Sequence, residues 1–196
     1  MLQQKIPSKN IFSVATLAKA YTQLEHNFDM QNGGFGHSPK FPMGHNLSFL
    51  LRHWKNAHEP QALAIVEKTL SVMGQSGICD QLGGGFHRYS TDAHWQVPHF
   101  EKMLYDQALL VKAYVEVFAA TGNENYAQTA KETLDYVLRD MRDVKGGFYS
   151  AEDADSFDPD NPEGHKKEGA YYVWSTAELR ELLSPEELKV CNYPVS

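Results

Sequence analysis

Apolar residues recur at helical spacing along most of the chain. From Ser13 they fall at Val14, Leu17, Ala18, Tyr21, Leu24 and Phe28, one face of a helix. Leu47, Leu50, Leu51 and Trp54 mark the inward face of a second helix over about Asn46 to His58. A third begins at Pro60, a favourable first-turn residue, carries Leu63, Val66, Leu70 and Met73, and ends near Gly77. A fourth runs from about His99 to Thr121 through Met103, Leu104, Leu110, Val111, Tyr114 and Phe118. After the turn "TGNEN", a fifth reaches about Met141 with Tyr126, Ala130, Leu134, Val137 and Leu138 inward. "STAE" at Ser175 and "SPEE" at Ser184 each predict a capping box opening a short helix. The only strand-like run is Ala170 to Trp174.

The connections alternate in length. "EP" joins the second and third helices and "GNE" the fourth and fifth, whereas the other joins are long. Loops beyond about 12–15 residues are uncommon in compact domains and are usually functional or disordered. Gly33-Gly34-Phe35, Gly84-Gly85-Phe86 and Gly146-Gly147-Phe148 each follow a helix, so a paired-helix unit repeats. If successive helices run antiparallel, every second connection lies at one end of the bundle. The three Gly-Gly-Phe loops then share one rim and the short turns share the other. The expected fold is all-α: antiparallel hairpins forming part of an (α/α)6 toroid over residues 1–196. A full ring needs about twelve helices of about 10–14 residues, and this chain supplies roughly half. The ending "KVCNYPVS" lacks a helix-stop signal, which favours a fragment over an open arc.

Composition narrows the partners. There are 25 acids against 18 Lys and Arg, a formal charge of -7, with no basic run, so neither nucleic acid nor an anionic membrane is expected. Cys79 and Cys191 lie far apart, without zinc spacing or a disulfide framework, which points to a reducing, cytoplasmic setting. The opening residues hold no apolar leader core, and no stretch reaches the ~18 apolar residues of a membrane span.

The long loops carry the chemistry. In "GGGFHRYSTDAHWQVPHFEKMLYD", His87 and His99 are candidate general acids or bases, with Glu101 and Asp106 as partners. Phe86, Tyr89 and Trp95 offer flat faces to a sugar-like ligand. The spacing of His87, His94 and His99 matches no familiar metal pattern, so neither metal nor another cofactor is expected. In "GGFYSAEDADS", Glu152, Asp153 and Asp155 crowd three carboxylates together, an arrangement that splits acid and base roles. In "GGFGHSPKFP", Phe35, Lys40 and Phe41 accompany two prolines, and Lys40 could face a cavity. The plainer reading is that His and Asp residues cap turns, aromatics cover the bundle end and Glu101 complements a helix dipole. "DPDNPEGHKKEG", residues 158–169, reads as a surface excursion.

"GGFGHSPKFP", "DQLGGGFHRYSTDAHWQVPHFEKMLYDQALL", "GGFYSAEDADS" and "EGAYYVW" resemble the spermatogenesis-associated protein 20 family, from about Ser13 to Trp174. Such relatives join a thioredoxin-like domain to a large (α/α)-barrel domain. The resemblance places this chain in the first half of the barrel region, without the thioredoxin-like domain. It also implies kinship of fold with six-hairpin glycosidases and sugar 2-epimerases. Lys40, His87, Arg88, Tyr89, Asp92, Trp95, His99, Glu101, Lys102, Tyr105, Asp106, Glu152, Asp153 and Asp155 stand in the family pattern.

Two functions are in view. The first is a carbohydrate-active barrel, epimerase- or isomerase-like or glycosidase-like. Its acid-base groups come from His87, His99, Glu101, Asp153 and Asp155. Its ligand contacts come from Phe35, Lys40, Phe86, Arg88, Tyr89, Trp95, Tyr105, Asp106 and Glu152. The alternative is a non-catalytic binding or scaffold module working with the thioredoxin-like partner domain. The apolar helix faces left by an incomplete ring would also suit a homodimer.

Overall fold

The structure, a computed structural model, describes residues 13–157 and 163–191. Residues 1–12, five residues of the predicted surface excursion and the closing 192–196 lie outside them. The described chain forms two compact units, one ending at Glu152 and the other beginning at Asp153. Helices dominate the first: α1 (Val14–His26), α2 (Gly44–Ala57), α3 (Pro60–Gly74), α4 (Leu104–Thr121) and α5 (Glu124–Arg139). The second holds α6 (Thr176–Leu182) and α7 (Pro185–Cys191).

Two tight hairpins make the frame. Between α2 and α3 the chain reverses through His58 in the left-handed region, and Glu59 caps α3 by accepting from the Gln61 amide, with Pro60 at the first turn. Between α4 and α5 it reverses through Gly122 at φ +70°, and Asn123 caps α5. Leu47, Leu50, Ile65, Val66, Leu70, Met73, Leu110, Tyr114 and Val117 fill the shared core. The buried face of α5 differs from the expected one. Thr133 and Tyr136 are buried, while Leu134 and Leu138 are exposed. The helix is turned by the loop it supports: Gly84 and Gly85 lie against Glu132 and Tyr136.

The predicted fourth helix begins five residues late. Its expected first turn is extended, with His99 and Lys102 each in a two-residue strand. β1 (Tyr89–Ser90) pairs antiparallel with β2 (Pro98–His99), and β3 (Lys102–Met103) with β4 (Ala151–Glu152). In the second unit β5 (Asp155–Ser156) pairs with β6 (Lys167–Glu168). Pieces of two residues are too short to show a period of two, so the sequence did not announce them. The strand expected at Ala170–Trp174 is absent: Gly169 to Tyr172 form a turn, closed by the Tyr172 amide donating to the Gly169 carbonyl at 2.9 Å. Both capping boxes form, at Ser175 with Glu178 and at Ser184 with Glu187.

The three glycine loops meet at one end, as the antiparallel argument requires. Lys40 and Ser90 exchange both backbone hydrogen bonds at 2.8 Å, tying the first loop to the second. β3 and β4, with the Leu104 amide donating to the Ser150 carbonyl at 2.9 Å, tie the second to the third. Each loop is a copy of one design. An aspartate (Asp29, Asp80 or Asp143) is followed by two glycines, and bridges close at Phe28–Phe35, Cys79–Phe86 and Arg142–Phe148.

In the first two copies a buried lysine completes the loop. Lys40, wholly buried, donates to Asp29 at 2.6 Å and to the Ala93 carbonyl at 3.0 Å, 5.3 Å from the Trp95 ring centre. Lys102 donates to Asp80 at 2.8 Å and to the Gly84 carbonyl at 2.8 Å, 4.4 Å from the Tyr136 ring centre. Burial alone would push both carboxyls up; the lysines and loop amides instead hold both below the usual carboxylate range. The same aromatic rings explain the glycines. A Cβ on Gly34 would come within 2.5 Å of Trp95, and one on Gly85 within 2.4 Å of Tyr136.

Removing one partner of a buried pair leaves the other charge uncompensated. Lys40→Ala and Lys102→Ala are each expected to destabilise the fold by about 3 kcal/mol or more, read by urea unfolding. Gly85→Ala, which meets both a positive φ and the Tyr136 ring, is expected to cost more than Gly147→Ala. At Gly147 only the backbone conformation, φ +86°, opposes a side chain, a cost of about 1 kcal/mol. Equal unfolding midpoints for the two glycine variants would contradict the packing account.

Candidate functional site

The rim sorts the expected residues into those it buries and those it presents. Phe86 has no exposed surface and stacks on Tyr114 in the core, 5.6 Å between centres. Trp95 is equally buried, packed under Gly34 with its indole N–H donating to the Asn32 carbonyl at 3.0 Å. Phe35 packs with Phe28 against the same core. Lys40 is wholly buried in its ion pair with Asp29. These four were expected to touch a ligand; in this structure Lys40, Phe86 and Trp95 are wholly buried and Phe35 is half-buried.

His87 is also interior. Its Nδ1 lies 3.1 Å from the Phe100 carbonyl oxygen, and its ring meets Phe100 edge-on. Burial, reinforced by the nearby Lys102 charge, lowers its pKa to about 4. The imidazole is therefore neutral at physiological pH and walled in, a structural group and not an accessible base. Asp92 shapes the adjoining turn by accepting from the amides of His94 and Val97.

Arg88, Tyr89, His99, Glu101 and Asp106, each half-buried, form one cluster. The β1–β2 pairing sets Tyr89 opposite His99, and their rings stack with centres 4.8 Å apart. Phe41 leans on Tyr89 from the first loop, at 4.9 Å. Just beyond that pairing the Arg88 amide donates to the Glu101 carbonyl at 2.8 Å; the two side chains form an ion pair at 2.7 Å, and His99 Nε2 lies 3.8 Å from the same Glu101 oxygen. Asp106 stands in the first turn of α4, beside half-exposed Tyr105. Burial raises the Asp106 carboxyl to about 6, with Arg88 working against the shift and Glu101 for it. Both Asp106 Oδ2 and Arg88 Nε are shielded from solvent without a hydrogen-bond partner in the protein.

Asp106 was expected to bind ligand, not to move a proton. Its sequence signal, a carboxylate at a helix start, is the commonest of dipole complements, and only tertiary burial makes it unusual. Glu152 lies opposite Lys102 in the β3–β4 pair. Asp153 and Asp155 belong to the second unit, where Asp153, exposed, lies 3.4 Å from Lys166. Cys79 is no nucleophile at neutral pH, since burial, with Asp80 beside it, pushes its thiol up to about 12. Among the described residues no cluster of His, Cys, Asp and Glu could hold a metal, and no helix is long and apolar enough to cross a membrane. Several clefts lie apart from the cluster. One, about 520 Å³, lies between α2 and α4 beside the Arg52–Glu116 pair. Another, about 390 Å³, lies between the Cys79–Gly85 loop and α5.

An all-α frame of antiparallel hairpins with its long loops joined at one rim is the architecture of the six-hairpin glycosidase-like (α/α) toroid. Solved structures agree: a sugar epimerase from a ruminal bacterium superposes with a TM-score of 0.60 at 15% identity, over 70% of this chain and 40% of that one. A family 76 glycoside hydrolase from a bovine Bacteroides thetaiotaomicron strain gives 0.58 at 16% identity, over 74% of this chain and 32% of that one. In sequence the chain is similar to human spermatogenesis-associated protein 20, 46% identical over 184 residues. That match takes in 91% of this chain and 23% of the human protein, so the chain spans about a quarter of the relative's length. The mouse protein is 44% identical over 191 residues. The family resemblance carried by the loop motifs thus holds across nine-tenths of the chain. No family model matches it.

A carboxyl whose folded pKa exceeds its unfolded value contributes full stability below the unfolded pKa and loses it as pH rises through the folded one. For Asp106 that window runs from about 4 to about 6. Asp106→Asn is therefore expected to stabilise the fold at pH 7.5 and to leave it unchanged near pH 3.5. Solvent still reaches this residue, which holds the gain to about 1 kcal/mol. Thermal unfolding at the two pH values checks it; a gain of equal size at both would rule out the titration of Asp106 as its cause.

Proposed function

We propose that the rim cluster is the acid-base site of a carbohydrate-active protein, of the epimerase or isomerase kind, with Asp106 as the proton-transferring group. One observation carries this reading: a carboxyl raised to about 6 stands beside a half-buried aromatic stack and a fixed Arg88–Glu101 pair. Near neutral pH such a carboxyl is present in both protonation states, as removal and return of a proton next to a carbonyl demand. Tyr89, stacked on His99, offers a face for a sugar ring. Arg88 can polarise a carbonyl oxygen as negative charge develops on it.

Hydrolysis would instead ask a second carboxylate to serve as nucleophile or base. Glu101 is the neighbour in place, and it is engaged by Arg88 at 2.7 Å. That engagement favours proton exchange over cleavage.

The test is to incubate the full chain with neutral mono- and disaccharides in heavy water and follow the sugars by NMR. Deuterium is expected at the carbon next to the carbonyl, with a rate that rises through about pH 6. Asp106→Asn is expected to slow exchange at least about 100-fold while keeping the fold. Cleavage without exchange would replace the epimerase reading by a glycosidase one. Failure of any sugar to bind or react would overturn the carbohydrate reading altogether.

A further inference from the structure

The strongest remaining question at the cluster is the charge of what it holds. The first two loops carry three lysines and arginines: Lys40, Arg88 and Lys102. Lys40 is buried against Asp29 and Lys102 against Asp80. Neither can reach a ligand without breaking a buried pair. Arg88 is partly exposed, but Glu101 already neutralises it at 2.7 Å, and Asp106 adds a second carboxyl beside it. The cluster therefore offers no unspent lysine or arginine charge. An anionic group placed there would meet two carboxyls for one guanidinium, and a like-charge approach in a partly buried site is unfavourable.

The unpartnered atoms say what fits instead. Arg88 Nε is a donor and Asp106 Oδ2 an acceptor, both shielded and both unpaired within the protein. A hydroxyl group is the small neutral group that accepts from the first and donates to the second. Leaving two such atoms unmatched is costly, and a polar ligand that matches both recovers that cost.

We infer that the cluster selects neutral, unphosphorylated hydroxylated ligands and rejects their phosphate esters and acids, with one ligand hydroxyl bridging Arg88 and Asp106. This rests on the carbohydrate reading above and adds the substrate class. It also places the reaction among those that act on free sugars, before any phosphorylation.

Calorimetry on the full chain at pH 7.5 tests it, with glucose, mannose and cellobiose against glucose 6-phosphate and mannose 6-phosphate. The neutral sugars are expected to bind at least about tenfold more tightly than the esters. Glu101→Gln, which frees the Arg88 charge, is expected to narrow that gap about tenfold. Arg88→Gln is expected to weaken the neutral sugars themselves. Tighter binding of the esters by the unaltered chain would overturn the inference and leave the acid-base reading standing. Neutral-sugar affinity unchanged in both Arg88→Gln and Asp106→Asn, with the fold intact by circular dichroism, would also overturn it. If no sugar binds at all, the carbohydrate reading falls and this inference with it.

Discussion

The rim depends on two lysines that never see solvent. Desolvating an ammonium is expensive, and it persists only where charge and hydrogen bonds return what water supplied. Here each lysine finds a carboxylate, a backbone carbonyl and an aromatic face at once. Those partners come from different stretches of chain: Asp29 and Ala93 around Lys40, and Asp80, Gly84 and Tyr136 around Lys102. Burying one cation therefore fixes the relative position of segments up to 53 residues apart. The glycines belong to the same constraint, because the rings beneath the lysines occupy the space where a side chain would stand.

That constraint shapes the candidate site by subtraction. Once Phe86, Trp95, His87, Lys40 and Lys102 are buried, the residues left outward are Tyr89, His99, Arg88, Glu101, Tyr105 and Asp106. Their register is set by strands too short to be stable alone, held because the loops on both sides are clamped. Its ion pair and ring stack are made entirely by the protein's own residues.

Much of the frame was legible in the sequence. The core faces of α2 and α3 follow from spacing, and the clustering of the Gly-Gly-Phe loops follows from counting hairpins. The face of α5 was misjudged because hydrophobicity favours Leu134 and Leu138, whereas the loop above selects Thr133 and Tyr136. The site was legible as a region but not as roles. A lysine in a polar loop normally points to water, and nothing local marks Lys40 as interior; its partner Asp29 is eleven residues away. Histidines draw attention as acid-base groups, yet the burial that silences His87 is a tertiary property. The same property makes Asp106 chemically unusual, and it too was invisible one residue at a time.

The third loop departs from its siblings in one respect. Asp143 keeps the aspartate-glycine frame, but its free carboxylate oxygen takes a hydrogen bond from the Tyr149 hydroxyl where the others hold a cation. A neutral donor leaves the carboxylate's charge uncancelled. Successive copies of one unit are thus electrically unequal: two are self-compensated and one carries a surplus electron's worth of charge. Backbone geometry can be inherited by duplication while polarity drifts independently, so kindred barrels can share a skeleton and still differ, segment by segment, in the field around their openings.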